Sequence, residues 1–361
     1  MFRPVKQSCL VFAKKWIPTW RCACLLIFTS TWLAVFEAHA DDQKGMLAFS
    51  EEDDSFANPF GPHQDRHYTQ GLKVSLFTGD EFMTNTATWV NGLLPAWGIT
   101  PTANDFGWVI LGQNIYTPQD LLESAPIKTD RPYAGWLYTG PIIQRRGQLT
   151  DTLAVMENFE VNLGVVGPAS LAEEAQTAVH RWWFPDDIPR GWHNQLKNEP
   201  GLVLKYARLW RWSPTPNTAR YFDVIPRVGG EAGNVFTLAT AGLSMRAGFN
   251  LPSNFGEQII DSPASVASPF TLHSPAFSAY FFGGVDGRAV AHDITLDGNS
   301  FQNGPSVDKY PLVADLSWGF AVQVGSHLEF AYVHIDRTKE FRGQQGNDIL
   351  GSLNLKLNFQ F

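Results

Sequence analysis

The chain has 361 residues, of which 44% are hydrophobic, 13% aromatic and 17% charged. Because disordered chains combine many charges with few aromatic residues, this composition excludes a disordered protein. The formal net charge of -8 argues against nucleic acid as a partner, and the mean hydropathy of -0.15 excludes a bundle of transmembrane helices. The remaining classes are an ordinary soluble enzyme and a β-barrel membrane protein, whose apolar residues are diluted by alternation.

The first forty residues predict a secretory signal peptide. Basic side chains precede an apolar run at residues 22–36, and the small-x-small sequence Ala38-His39-Ala40 follows as a cleavage site. A transmembrane anchor is the weaker interpretation, because the run is shorter than the roughly 18–20 residues that a spanning helix needs. We expect residues 1–40 to be removed and residues 41–361 to form one domain. That domain cannot rely on disulfides, because all the cysteines lie in the removed segment: Cys9, Cys22 and Cys24.

Segments of period two follow along the rest of the chain. Residues 153–165 and 312–324 alternate between a largely apolar face and a small or polar face. These segments are longer than the roughly 5–6 residues of a usual globular strand and reach the length that crosses a membrane. About twelve such segments predict an all-β fold, a transmembrane antiparallel β-barrel of about twelve strands. A secreted β-sandwich, which also alternates, is the alternative.

The ends of these segments carry further signals. The last segment places Leu353, Leu355, Leu357, Phe359 and Phe361 on one face, and a chain that ends on Phe after such alternation resembles the terminal strand of bacterial outer-membrane proteins. Aromatic residues near segment ends, among them Trp136, Tyr138 and Trp212, are expected in interfacial belts. Residues 58–64, 251–268 and 297–309 are rich in proline or charge and predict exposed loops.

One segment breaks the alternation. Residues 168–183 are rich in Ala, Glu and Gln and have proline at a possible first turn, so they predict one short helix of three to four turns. Gln176 and His180 are four residues apart on it and share a face.

An acidic run ends the first predicted strand. Four carboxylates follow one another from Glu51 to Asp54. Such a run suits a hard cation such as Ca²⁺, although by itself it fits a solvated acidic loop better, and its spacing does not match an EF-hand. In the next strand the alternation directs Thr69 towards the barrel interior, and by the same parity Asp54 faces the interior at the same rim.

The order of the motifs is similar to that of the outer-membrane lipid A 3′-O-deacylase family. The motifs that carry the resemblance span nearly the whole predicted domain: Glu52-Asp53-Asp54-Ser55-Phe56, Asp65-Arg66-His67-Tyr68-Thr69-Gln70-Gly71, Tyr116-Thr117-Pro118, Asp130-Arg131-Pro132-Tyr133-Ala134-Gly135, Gly164-Val165-Val166-Gly167-Pro168, Gln176 with His180-Arg181, Gly191-Trp192 with Asn194-Gln195, and Thr338-Lys339-Glu340-Phe341. The resemblance implies a twelve-stranded barrel in the outer membrane of a Gram-negative cell. It further implies hydrolysis of the 3′-acyloxyacyl ester of lipid A with Ca²⁺, on lipopolysaccharide and surrounded by outer-membrane lipid. We expect a monomer.

The resemblance also assigns site residues. It implies His180 as the general base on water, with Thr69 and Gln176 in the same site. Asp186 corresponds to an acidic residue six positions after the histidine, and the neighbouring Asp187 competes for that role. Ca²⁺ would be held by a pair of residues, Asp53 and Asp54, of which Asp53 stands where the family has Asn.

General chemistry agrees with these roles. An imidazole has a pKa of about 6.5 and can therefore act as a general base at neutral pH. A carboxylate at its other nitrogen would fix the tautomer. Two other hypotheses stay open at this point. One is a barrel of the same fold without the activity, acting as a channel or structural element. The other is a secreted β-protein that binds carbohydrate through its aromatic residues.

Overall fold

The protein is a closed antiparallel β-barrel of twelve strands. The computed structural model describes residues 44–57, 65–79, 81–93, 98–269 and 275–360. The predicted signal peptide, the loop at residues 58–64 and Phe361 lie outside this part of the chain. Each strand pairs with its neighbours in sequence, and β12 closes the barrel on β1. The strands are β1 Lys44–Asp53, β2 His67–Thr78, β3 Ala103–Thr117, β4 Ala134–Thr150, β5 Leu153–Val166, β6 Glu199–Trp212, β7 Phe222–Gly233, β8 Phe236–Phe249, β9 Phe277–Asp293, β10 Leu312–Val324, β11 Leu328–Arg337 and β12 Asp348–Gln360. The predicted barrel is confirmed, and the sandwich is excluded.

The alternation in the sequence becomes an apolar outer face and a polar lumen. On β10, Leu316 and Trp318 point outward and are 55% and 51% exposed, whereas the alternate residues Asp315 and Ser317 are buried. The buried lumenal charges are paired across strands, as buried charges must be. Examples are Lys73 with Glu160 at 2.8 Å, Arg337 with Asp315 at 2.9 Å and Lys356 with Glu329 at 2.6 Å. The outer face is therefore suited to lipid.

The connection between β8 and β9 fills the lumen. Its residues 251–269, called the plug below, are almost all buried. The Ile260 N–H donates to Glu52 Oε1 at 2.7 Å, and Asp261 pairs with Arg288 at 3.1 Å and with Arg337. The prediction of an exposed loop at residues 251–268 is wrong, because the polar barrel wall satisfies the charges and backbone groups that would otherwise need water. Residues 297–309, in contrast, are mostly exposed as predicted.

The largest hydrophobic cluster lies between the plug and the inner wall. Ile259 of the plug belongs to the cluster that also contains Tyr68, Trp136 and Tyr138. The rings of Trp136 and Tyr138 stack with centroids 5.5 Å apart. These two residues are therefore lumenal core residues and do not form an interfacial belt, whereas Trp212 is 44% exposed.

Helices occur at both ends of the barrel. Helix α1, Glu81–Leu93, was not predicted and lies at the end that holds the start of β1 and the end of β12. At the opposite end, called the site end below, the predicted helix consists of two elements. A 3₁₀ turn at Pro168–Ser170 and helix α2, Ala172–Trp183, are separated by Leu171 at φ 58°. A short helix α3, Ile294–Asp297, follows β9. None of the helices in the described ranges is long and apolar enough to cross a membrane.

Candidate active site

A β-bulge at Thr69 changes the direction in which this part of β2 points. The register between β2 and β3 shifts between Tyr68 and Gln70. Tyr68 faces the lumen, where its hydroxyl donates to Glu52 at 3.0 Å. Gln70 faces outward, since it lies opposite Asp53 and shares the half-exposed face of Leu72. A bulge breaks period-two alternation, and the lumenal direction predicted for Thr69 therefore fails.

The candidate pocket lies against the outer face of the barrel wall. It is a cavity of about 270 Å³ between this wall and α2. Five of the six predicted site residues line it: Asp53, Asp54, Thr69, Gln176 and His180. Asp186 is exposed and does not line it, whereas the competing residue Asp187 does. Asp54 and Thr69 thus share a site, as expected, but outside the lumen.

Close packing holds α2 on the wall. Ala172 at the start of α2 is buried in a cluster with Ile115 of β3 and with Trp192. Gln113 of β3 donates from Nε2 to the Ser170 carbonyl at 2.7 Å. Gly135 of β4 lies directly below, where a Cβ atom would collide with Ser170 and Ala172. A residue without a side chain is therefore what allows the helix to approach the wall.

A hydrogen-bonded chain fixes the histidine of the pocket. His180 Nε2 lies 2.6 Å from Asp65 Oδ2. Gln176 donates from Nε2 to the same carboxylate at 3.1 Å and accepts from Trp192 Nε1 at 2.9 Å. Gln176 and His180 therefore share a face of α2, as predicted. His180 Nδ1 is buried and makes no hydrogen bond of ordinary geometry in the described ranges, although the Asp187 backbone is close enough to the ring to help raise its pKa.

The pocket concentrates negative charge. Burial, together with the nearby charges of Asp53 and Asp65, raises the pKa of Asp54 well above its usual range. Burial by itself lowers the pKa of His180, but the hydrogen bond and the charge of Asp65 outweigh it, so the pKa is raised above its usual value. Both shifts favour a cation in the pocket, either a proton or a metal ion.

The donor set suits a hard cation by its chemistry. Carboxylates of Asp53 and Asp54 and the hydroxyl of Thr69 line the pocket, and Ca²⁺ prefers such oxygen ligands. Backbone N–H groups of Ser55 and Arg66 each donate to one of these carboxylates at 2.7 Å, which holds the two side chains in place. Among the described residues, no group of three or more His, Cys, Asp or Glu side chains is arranged to hold a metal ion. A cation bound here would therefore need further oxygen atoms from water or substrate.

Asp65 is the site residue that sequence reasoning missed. It belonged to a recognised motif, yet nothing assigned it a role. It contacts a histidine 115 positions later in the chain, and a contact of that separation leaves no periodic signal in a single sequence. The predicted partner was an acidic residue close to His180 in sequence.

The fold and the pocket together define the class, a β-barrel with an apolar outer face and a histidine–carboxylate pair in a pocket on its outer wall. A family model described as outer membrane protein LpxR matches residues 22–359, and the chain belongs to this family. The resemblance to the lipid A 3′-O-deacylase family is thereby confirmed.

The solved structure of one family member agrees on the fold. LpxR from Salmonella typhimurium is similar with a TM-score of 0.67 and 20% identity, over 86% of this chain and 99% of that chain. The beta domain of the Bordetella autotransporter Brka has a TM-score of 0.42 and 9% identity, over 88% of this chain and 100% of that chain. The translocator domain of autotransporter NalP from Neisseria meningitidis has a TM-score of 0.37 and 8% identity, over 94% of this chain and 97% of that chain. No curated protein matches the sequence.

Proposed function

We propose that this protein hydrolyses the 3′-O-linked acyloxyacyl ester of lipid A, with His180 as general base. The observation that carries the proposal is the 2.6 Å contact between His180 Nε2 and Asp65 Oδ2 in a pocket on the outer face of the wall. A lipid in the surrounding leaflet can reach this face without entering the lumen. Most connections at the site end are long, as extracellular loops of such barrels are, which suits a substrate in the outer leaflet.

The tautomer of His180 follows from its partner. An ionised carboxylate only accepts hydrogen bonds, so Asp65 keeps the proton of the neutral imidazole on Nε2. Nδ1 is then the unprotonated nitrogen that can accept a proton from water. Gln176 donates to the other oxygen of Asp65, Oδ1, so its amide positions the carboxylate and through it the imidazole. In this scheme Asp65 takes the orienting role that the sequence suggested for Asp186.

The reaction is a two-step ester hydrolysis. His180 Nδ1 takes a proton from a water molecule while the water oxygen attacks the ester carbonyl carbon, which gives a tetrahedral oxyanion. The carbon–oxygen bond to the sugar then breaks, and the imidazolium returns its proton to the leaving sugar oxygen. The products are a free acyloxyacyl acid and a sugar hydroxyl, and the imidazole is regenerated.

Two groups are placed to stabilise the oxyanion. The Thr69 hydroxyl lies 2.6 Å from the Thr117 hydroxyl, which can orient it to donate towards the substrate. Asp53 and Asp54 would hold Ca²⁺, which supplies positive charge that polarises the ester carbonyl.

A channel or purely structural barrel is less well supported. The plug occupies the lumen through which a pore would conduct, and its contacts with Glu52, Arg288 and Arg337 fix it there. A pore also has no use for a fixed histidine–carboxylate pair on the lipid side of its wall.

Mass spectrometry of lipid A tests the proposal. Cells that produce the wild-type protein should contain lipid A that lacks the 3′-linked acyloxyacyl group. Cells that produce the His180→Ala variant at equal membrane yield should contain intact lipid A. Intact lipid A in both strains, with the purified wild-type protein also inactive on lipid A in detergent with Ca²⁺, would refute the proposed reaction.

A further inference from the structure

Helix α2 has an apolar flank that is largely exposed, although Ala175 within it is partly buried against the cluster of Ile115, Ala172 and Trp192. Leu171, Ala175, Ala178 and Trp182 follow one another at spacings of four, three and four residues, so they form one stripe along the helix. Leu171 is 53% exposed and Trp182 is 81% exposed, and Ala178 between them is exposed as well. A single exposed apolar residue is ordinary, but a full helical stripe that ends in tryptophan indicates a partner surface.

The two other sides of α2 have different surroundings. Gln176 and His180 face the wall and line the pocket. Glu173, Glu174 and Arg181 are exposed on a third side, where Glu173 is about opposite the stripe and Glu174 is next to Ala178. The helix thus has a pocket face, a charged face and an apolar face, which is the pattern of a helix at the boundary between lipid and water.

The stripe is continuous with the lipid-facing surface of the barrel. The 3₁₀ turn before α2 starts two residues after β5 ends and packs on β4 and β5. Near that end of β5, Leu163 points outward and is 53% exposed, and its cross-strand partner Leu202 on β6 is 41% exposed. Outward apolar residues of a barrel of this class contact acyl chains. The stripe extends that surface from the wall onto α2.

The pocket opens towards the same kind of surface. Leu122 lines the pocket and is 42% exposed at its edge, and Val179 and Phe184 line it from α2 and its end. Trp183, beside Trp182, is 41% exposed. The pocket therefore has an apolar rim beside α2, close to the hydrogen-bonded pair of His180 and Asp65.

We infer that the exposed stripe of α2 lies on the acyl chains of the outer leaflet, and that lipid substrate enters the pocket sideways along it. The occupant of this surface is membrane lipid. The entry route rests on the proposed function, whereas the contact of the stripe with lipid does not. Trp182 anchors the end of the stripe, since its ring combines an apolar body with one hydrogen-bond donor and suits the interface.

Fluorescence quenching tests the lipid contact without any activity assay. In a full chain with Cys9, Cys22 and Cys24 changed to serine, Trp182→Cys carries a bimane label, and Glu173→Cys on the charged face carries the same label as the matched control. Both are reconstituted into phosphatidylcholine vesicles, and heat-modifiable gel migration verifies folding. Lipids brominated on the acyl chain should quench the label at position 182 several-fold more than the label at 173, and aqueous iodide should show the reverse order. Equal quenching at the two positions, or the opposite order, overturns the inference.

Kinetics test the entry route. Trp182→Gln should raise KM for lipid A in vesicles about tenfold with little change in kcat, since the lost contact is made equally in ground and transition states. Trp182→Phe should keep KM within about twofold of wild type, since its ring stays apolar. An unchanged KM for Trp182→Gln overturns the entry route even if quenching supports the lipid contact. A wild-type protein without deacylase activity would refute the proposed function and the entry route with it, and the quenching result would still decide the lipid contact.

Discussion

The contact between His180 and Asp65 supports the sharpest prediction about this protein. Removing a general base typically lowers the rate about 10²–10⁴-fold, which is roughly 3–5 kcal/mol of barrier. His180→Ala should lose that factor in kcat. Asp65→Asn keeps the size of the side chain but removes its charge. A hydrogen bond to a charged group contributes about 1.5–3 kcal/mol, so Asp65→Asn should lower kcat about 10–150-fold.

The pH profile separates positioning from a general loss of structure. The neutral imidazole is the active form, so activity should rise as pH rises through the pKa of His180. Asp65 raises that pKa, and burial alone would lower it. Asp65→Asn should therefore move the acid limb of the kcat profile to lower pH while the plateau falls.

The assay measures release of the acyl group from lipid A in detergent with Ca²⁺ present, after heat-modifiable gel migration has verified each barrel. Asp186→Ala is the matched control, because Asp186 is exposed and does not line the pocket, and it should keep kcat within about threefold of wild type, or roughly 0.6 kcal/mol. Near wild-type turnover in His180→Ala would refute the base assignment and make Thr69 the next residue to test as a nucleophile. An unshifted acid limb in Asp65→Asn would refute the orienting role of that carboxylate.

Three further predictions concern the metal, the helix mount and the barrel. Chelation should abolish hydrolysis, and Asp54→Ala should resist rescue by moderate Ca²⁺ at saturating substrate; full activity in chelator would exclude the metal. Gly135→Ala should push α2 off the wall through contact with Ser170 and Ala172. The variant should lower kcat at least tenfold without loss of barrel yield, because misplacing a catalytic group by about 1 Å can lower the rate about 10²-fold. An unchanged kcat would contradict the close packing of α2 on the wall. Leu316→Arg should cost about 2–4 kcal/mol of folding free energy in lipid vesicles if that face meets the bilayer core. Urea titration measures this cost, and tolerance of the charge would contradict a lipid-facing position.

The placement of the pocket explains how a barrel enzyme can act on a membrane lipid. The lumen holds the plug and a network of paired charges, so it supplies rigidity to the wall. The proposed site lies outside, between the wall and α2, where Asp54 and His180 line one cavity. A substrate with large acyl chains can then stay in the leaflet while only its ester group enters the charged pocket.

The sequence by itself determined the barrel. Alternation in segments such as residues 312–324 is a local property, since each side chain points to one side of a strand whatever its distant neighbours are. The same holds for the shared face of Gln176 and His180, which follows from the helical repeat. Twelve strands, outward leucines and a His–Gln pair on one helix could therefore be predicted without a structure.

Tertiary structure decided where the candidate site lies. The bulge at Thr69 depends on how β2 pairs with β3, and it takes Thr69 out of the alternation that directed its side chain to the lumen. The plug has the composition of a surface loop, and only the polar lumen around it makes burial favourable. Asp65 meets His180 because α2 folds back over the wall at Gly135, a contact between distant parts of the chain. Local periodicity carries no information about such pairings, so they emerge only when the whole barrel closes.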